Sequence, residues 1–232
     1  NTYRRDVDDV KTTAAKAEDA ERNRADQAEK HVLELKHYVS ELEKSGEALR
    51  LSHEKFRHAT YHHTLTGLPN RNYFIDFLED LLQKSRTDPN RKFAVLFLDL
   101  NRFRTINDSL GHSTGDHLIR RVAKRLSAMT GEGDMVGHFG GDEFAFILNG
   151  VGDARSAAEF AEQVVKEIAE PFRFKNRHVY TSVSVGIAFG CPEHSNAEDI
   201  LRDADMAMYH AKDNCENYCI FDKGMHTSAV SQ

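Results

Sequence analysis

Asp99 closes an apolar run, Phe93-Ala94-Val95-Leu96-Phe97-Leu98, that reads as a buried central strand spanning about Lys92–Leu100. A carboxylate at the carboxyl end of such a strand sits where α/β sheets put their ligands. Asp142 and Glu143 follow Gly140-Gly141 at what reads as a hairpin tip, and the two glycines let the backbone approach a ligand closely. If that hairpin pairs beside the Asp99 strand, three carboxylates converge. Their repulsion is relieved by a divalent cation, and oxygen ligands suit Mg²⁺, which commonly bridges a few carboxylates and substrate phosphates. Taken alone, Gly-Gly-Asp-Glu is equally an ordinary turn.

The elements around these residues alternate in period. Asn70–Gln83 reads as a helix with Phe74, Phe77, Leu78, Leu81 and Leu82 on one stripe. Short and long helices are expected at about Phe103–Asn107 and Thr114–Met129. Strands follow at about Met135–Phe139 and Glu143–Leu148, then a helix at Ala154–Ala169. Phe172–Phe174 and one long strand, Val179–Phe189, precede a last helix at about Ala197–Lys212 and a strand at Tyr218–Phe221. Helices interleaved with a mixed sheet predict an α+β sandwich.

Before residue 59 the character differs. All four prolines and all but two glycines, Gly46 and Gly67, lie beyond residue 68, so the first part is nearly free of helix breakers. Ala25, Ala28, Val32, Leu35, Val39, Leu42, Leu49 and Phe56 follow a heptad. Val7, Val10, Ala14 and Ala17 repeat it in a shifted phase, which suggests a stutter. One narrow seam on an exposed helix is buried either against a second copy, as a parallel dimeric coiled coil, or by folding back on its own domain.

Composition bounds the rest. The 232 residues suit one packed domain plus an appendage, and no run of roughly 18 apolar residues offers a membrane span. The net charge of −6 argues against general nucleic-acid binding. Neither end reads as a signal peptide, and the odd count of cysteines, Cys191, Cys215 and Cys219, forms no metal-ligand pattern and fits a reducing cytoplasm. His58 and His62 are four apart, but with His63 they have no local carboxylate or cysteine to make a zinc site.

Gly140-Gly141-Asp142-Glu143-Phe144 resembles, letter for letter, the signature of the GGDEF family of diguanylate cyclases. Further blocks resemble the family in the right order: Leu65-Thr66-Gly67-Leu68-Pro69-Asn70-Arg71, Asp99–Asp108 with Gly111-His112 and Gly115-Asp116, Ser184-Val185-Gly186-Ile187, and Ala204–Lys212. The resemblance covers about residues 60–222. It implies a palm-like sheet and the condensation of two GTP into cyclic di-GMP with release of two pyrophosphates. Position by position, it implies that Asp99, Asp142, Glu143 and the Leu100 carbonyl hold Mg²⁺ (or Mn²⁺), and that a signature carboxylate helps deprotonate the attacking 3′-hydroxyl. Asn107 and Asp116 match the positions that read guanine. Phe103 and Arg104 match a loop whose amides wrap the β- and γ-phosphates, with Gly140 and Gly141 beside the substrate and Lys212 adding charge. The expected organisation is a coiled-coil helix (1–58), a GGDEF domain (59–222) and a short linker (223–232).

Four positions depart from the family pattern. His63 stands where Asp is usual, His138 where Arg is usual, Cys215 where Gly is usual and Glu216 where a phosphate-binding Arg is usual. A carboxylate near a triphosphate is repulsive. The Arg-x-x-Asp of product inhibition falls on Gly131-Glu132-Gly133-Asp134, so only its acid is present and no feedback through that site is expected. Phe221–Val230 resembles the linker into an EAL phosphodiesterase domain, and the chain begins mid-helix without Met. A fragment is therefore expected, with a sensor before it and an EAL domain after it. Three functions stay open: an active cyclase working as a coil-organised dimer, a GTP-binding module regulating an adjacent phosphodiesterase, and a dimerisation scaffold.

Overall fold

The computed structural model describes residues 21, 22, 24, 27, 29–50 and 60–225, apart from 89, 175, 176, 192 and 193. Val7, Val10, Ala14, Ala17, Ala25, Ala28, Phe56, His58 and the tail beyond Met225 lie outside the described residues. By contacts the chain divides into two units, Asn1–Phe56 and Arg57–Gln232. In the first, residues 29–50 form one continuous helix, α1. Its seam residues Val32, Leu35, Val39, Leu42 and Leu49 are all exposed, Leu42 and Leu49 by 71% and 72%. Among the described residues no helix is long and apolar enough to cross a membrane.

The second unit is built on β1 (Phe93–Asn101). It lies at the centre of a five-stranded sheet ordered β2-β3-β1-β6-β7, where β2 is Met135–Gly140, β3 Glu143–Asn149, β6 Ser182–Phe189 and β7 Tyr218–Ile220. β1 runs antiparallel to β3 and β6, while β6 and β7 are parallel. Because β1 is covered on both faces, its alternate residues enter two cores, as its unbroken apolar composition requires. Leu96, Leu98 and Leu100 pack with α4 (His112–Ser127) and α5 (Ala154–Ala169). Val95 and Phe97 pack with α2 (Arg71–Thr87) and α6 (Ala197–Asp213). Truncating a fully buried leucine such as Leu98 to Ala removes about 2–5 kcal/mol by this packing.

Helix starts follow their caps. Asn70, Asp153 and Asn196 each accept a hydrogen bond from the amide three residues on, which opens α2, α5 and α6. α3 (Phe103–Leu110) is different. It has no side-chain cap, starts after Arg102 at φ 60°, and buries no residue completely; Phe103, Ile106 and Leu110 rest half-buried against the core.

One expectation is corrected. The stretch Val179–Phe189 is not a single strand. β5 (Arg177–Val179) pairs with β4 (Phe172–Phe174) in a separate two-stranded sheet, and the main-sheet strand restarts at Ser182. At the break Tyr180 is exposed and the Thr181 hydroxyl donates to the Asn101 carbonyl (3.1 Å), which turns the chain onto the edge of β1. The β-branched run through both pieces hides this break in the sequence.

Candidate active site

Strand pairing brings the carboxylates together. In the β1–β3 register Asp99 is directly opposite Glu143, and the Leu100 amide donates to the Asp142 carbonyl at 3.2 Å. Directly opposite residues share a face of the sheet, so Asp99 and Glu143 both face the α2/α6 side. β2 and β3 shift register between His138 and Gly140, and Gly140 and Gly141 take φ of 133° and 57°, values that admit glycine without strain.

α6 completes the cluster because Gly186 lets it lie on the sheet. A methyl group on Gly186 would fall 2.0 Å from the Ala204 carbonyl oxygen and 2.1 Å from the Met208 amide nitrogen. From this close helix, Lys212 Nζ donates to Asp99 Oδ1 at 2.5 Å. Desolvation, then the Asp99 charge, raises the Asp142 pKa, while Lys212 pulls it back. Glu143 is raised by desolvation, then by Asp205, Asp99 and Asp142, again against Lys212. Asp205 is itself raised by desolvation and by Asp99. It is a fourth carboxylate that the sequence reading passed over. The available signal was its spacing of two helical turns from Lys212, which puts both side chains on one face.

These are hard oxygen donors whose mutual repulsion a divalent ion relieves, so the donor set fits Mg²⁺ or Mn²⁺. Among the described residues no three such side chains are drawn together tightly enough to hold an ion alone.

A second cluster forms where α3 meets α4. Gly115 faces the Asn107 side chain and the Phe103 ring: a methyl there would meet Asn107 Oδ1 at 1.8 Å and Phe103 Cζ at 3.2 Å. Asn107 Oδ1 is buried with no hydrogen-bond partner. An orphaned buried acceptor is unfavourable unless a ligand satisfies it. Asp116 follows Gly115 and is exposed on α4. Phe103 and Arg104 do not lie in a loop; they are the first residues of α3, whose uncapped amides form an anion-attracting helix start. The Arg104 side chain joins neither cluster, being 95% exposed and 4.0 Å from Asp108.

The four departures fall into two places. His63 and His138 touch with ring centroids 3.8 Å apart and planes tilted by 45°, so the positions where Asp and Arg are usual have changed as a touching pair. His138 is buried, lies flat on Phe144 at 4.5 Å, and bonds through Nδ1 to the Thr66 hydroxyl and through Nε2 to the Gly141 carbonyl, both at 3.2 Å. Its amide donates to the Pro69 carbonyl at 2.8 Å. Burial, then the His63 charge, pushes its pKa down to about 4. At the other place, the end of α6 closes with Cys215 at φ 57°, the Cys215 amide on the Lys212 carbonyl and the Glu216 amide on the Ala211 carbonyl. This double-bonded cap favours glycine at the position Cys215 occupies. Lys212, Cys215, Glu216 and Arg102 line one cleft of about 900 Å³. Asp134 is engaged locally, with its two carboxylate oxygens accepting from the Gly131 and Asn149 amides.

Comparison with known proteins agrees on one family. The family model for "Diguanylate cyclase, GGDEF domain" matches residues 60–218. The chain is 40% identical over 172 residues to the bifunctional diguanylate cyclase/cyclic di-GMP phosphodiesterase MucR of Pseudomonas aeruginosa, covering 74% of this chain and 25% of MucR. Among solved structures, it is similar to the GGDEF domain of TpbB from P. aeruginosa (TM-score 0.69, 33% identity, covering 74% of this chain and 99% of that one). It is also similar to the coiled coil and GGDEF domain of DgcB from Caulobacter crescentus in complex with c-di-GMP (TM-score 0.71, 25% identity, 81% and 98% covered). The chain spans a quarter of MucR and two fifths of full-length TpbB.

Proposed function

The chain belongs to the diguanylate cyclase family of GGDEF domains, and on that premise we propose that it condenses two GTP molecules into cyclic di-GMP and two pyrophosphates. The observation that carries the reading is the Asp99–Glu143 pairing with Asp142 beside it and Lys212 bonded to Asp99. Asp99, Asp142, Glu143 and the Leu100 carbonyl would hold Mg²⁺ or Mn²⁺, which when bound neutralises triphosphate charge and stabilises the departing pyrophosphate. Asn107 and Asp116 read the guanine edge, with Asn107 Oδ1 offering its unsatisfied lone pairs. The amides at the start of α3 and the Lys212 ammonium hold the phosphates. Asp142 or Glu143 accepts the 3′-hydroxyl proton, a role for which a raised carboxylate pKa is the better match to neutral pH.

Each domain binds one GTP, and the hydroxyl of one attacks the α-phosphate of the other. The exposed seam of α1 supports a homodimeric coiled coil that raises the effective concentration of that encounter. Domain limits of 1–58, 59–222 and 223–232, an upstream sensor, a downstream EAL domain and a cytoplasmic place of work belong to the same reading. With Gly131 in place of an arginine and Asp134 engaged by backbone amides, no primary-site product inhibition operates. Tight cyclic di-GMP binding that depends on Asp134 in a titration would refute that point.

One observation favours a second reading, a GTP-binding module that regulates an adjacent phosphodiesterase. Glu216 shares the Lys212 cleft and opposes a triphosphate there. Incubation of the purified chain with GTP and Mg²⁺, followed by nucleotide chromatography, decides between them. Cyclic di-GMP that vanishes in Asp142→Ala supports the cyclase; bound GTP without product supports the module.

A further inference from the structure

A second set of reactive side chains lies outside the carboxylate cluster, in the connection between β6 and α6. Cys191 Sγ is 3.1 Å from His194 Nδ1, and His194 Nε2 is 3.0 Å from Asp203 Oδ2. The side chains of His194 and Asp203 are only 11% and 8% exposed, while Cys191 is partly exposed. Asp203 precedes Asp205 by two residues and so leaves α6 on roughly the opposite side from the candidate active site. The connection is held in place from α2, because Arg86 donates to the His194 and Ser195 carbonyls at 2.8 and 2.9 Å.

The hydrogen bonds fix the ring's tautomer from both ends. A carboxylate only accepts, so His194 Nε2 carries a hydrogen. Independently, the Cys191 amide donates to Nδ1 at 3.2 Å, which requires an acceptor there. The Cys191 amide and thiol therefore share the Nδ1 lone pair, at 3.2 and 3.1 Å, on a ring braced by a buried carboxylate. A nucleophile, its base and a group that orients the base are the parts of an activated thiol. Among the described residues neither other cysteine has such a partner. Cys215 is exposed, and Cys219 reaches only the Ile220 carbonyl, at 3.7 Å.

Beside Cys191 opens a cleft of about 590 Å³. Asp199, Arg202 and Asp203 face it from α6, and Asp222 and Lys223 from beyond β7. With Arg86 behind, the surrounding acids and bases balance, so the cleft carries no surplus of one sign that would favour an ionic electrophile over a neutral one.

We propose that Cys191 is a modification site for small electrophiles, hydroperoxides first among them, with His194 as its base and Asp203 as the positioning residue. His194 Nδ1 takes the thiol proton, and the sulfur attacks one peroxide oxygen. The S–O bond forms as the O–O bond breaks, and the departing oxygen leaves with the bonding electrons. It takes the proton back from His194 and departs as water when the oxidant is hydrogen peroxide. The cysteine is oxidised by two electrons to the sulfenic acid and the peroxide is reduced.

The full chain treated with hydrogen peroxide at neutral pH, trapped with dimedone and read by peptide mass spectrometry tests this. Cys191 is expected to be labelled about tenfold faster or more than Cys215, despite being less exposed. His194→Gln is expected to bring Cys191 down to the Cys215 rate, with Cys215 itself unchanged in the same molecules. Asp203→Asn gives a partial loss. Labelling at partly buried Cys219 reports whether a variant remains folded. If His194→Gln unfolds the chain, the wild-type ratio and Asp203→Asn carry the test. Cys191 labelled no faster than Cys215 in the wild type, or at an unchanged rate in a folded variant, overturns the proposal.

Discussion

The buried His138, with half-buried His63 against it, makes a quantitative prediction about acid. Folded His138 takes a proton only near pH 4, against an ordinary value of 6.5 for the unfolded chain. The unfolded state therefore binds more protons throughout that window, and linkage makes stability fall as pH falls through it. The contribution is nil above about pH 6.5, grows on acidification, and levels off below about pH 4. The full displacement corresponds to about 3 kcal/mol, of which about 2 kcal/mol is expressed by pH 5. His138→Gln removes the titration while keeping an amide that reaches the Gly141 carbonyl. Urea unfolding of both proteins at about pH 7.5 and about pH 5 checks the reasoning. Wild type is expected to lose about 2 kcal/mol more than the variant between the two conditions. The elevated carboxylates Asp142, Glu143 and Asp205 pull the other way, but they are present in both proteins and cancel. Equal losses in the two proteins would show that His138 is protonated in the folded state at ordinary acidity, and the argument from burial would be wrong.

Removing the cation from the cluster has a predictable sign. Lys212 lowers the pKa of both Asp142 and Glu143, so in Lys212→Met those carboxylates titrate higher and the acid limb of the cyclase rate profile moves to higher pH; an unmoved limb counts against the cluster. Cys215→Gly relieves a left-handed residue and is expected to stabilise the domain by about 0.5–1 kcal/mol, read as a melting temperature raised by a few degrees. Gly186→Ala drives a methyl into the α6 backbone and is expected to lose about 1–3 kcal/mol in chemical denaturation. Leu35→Glu with Leu42→Glu puts charge in the α1 seam, and on the proposed coiled-coil reading sedimentation is expected to show dimer in the wild type and monomer in the variant.

The sequence disclosed the parts of this fold that rest on local pattern. The apolar run ending in Asp99 reads as a strand buried on both faces, and the glycines before Asp142 read as a hairpin turn. A convergence of Asp99, Asp142 and Glu143 was therefore readable on the condition that the two segments pair, and the register that sets Asp99 opposite Glu143 came from the structure. What lay hidden depends on approach between distant segments. Nothing local says that Gly115 holds Asn107 against α4, that Gly186 seats α6 over Asp99, or that His63 and His138 touch across 75 residues of chain. Asp205 was visible as a letter but not as a member of the cluster, because its helix had first to be laid on the sheet. The break at Tyr180 escaped for the opposite reason: strand-forming residues on both sides of it mask a change of partner.

α3 has a consequence for motion. A helix with no fully buried residue and no side-chain cap has little packing to resist local opening, and such segments open at far lower free energy than the core. Its amides are therefore expected to exchange hydrogen with solvent well before those of α4, which buries six residues. A ligand that ties Asn107 on α3 to Asp116 on α4 must order this segment as it binds. Part of the contact energy is then absorbed in quenching fluctuations rather than expressed as affinity.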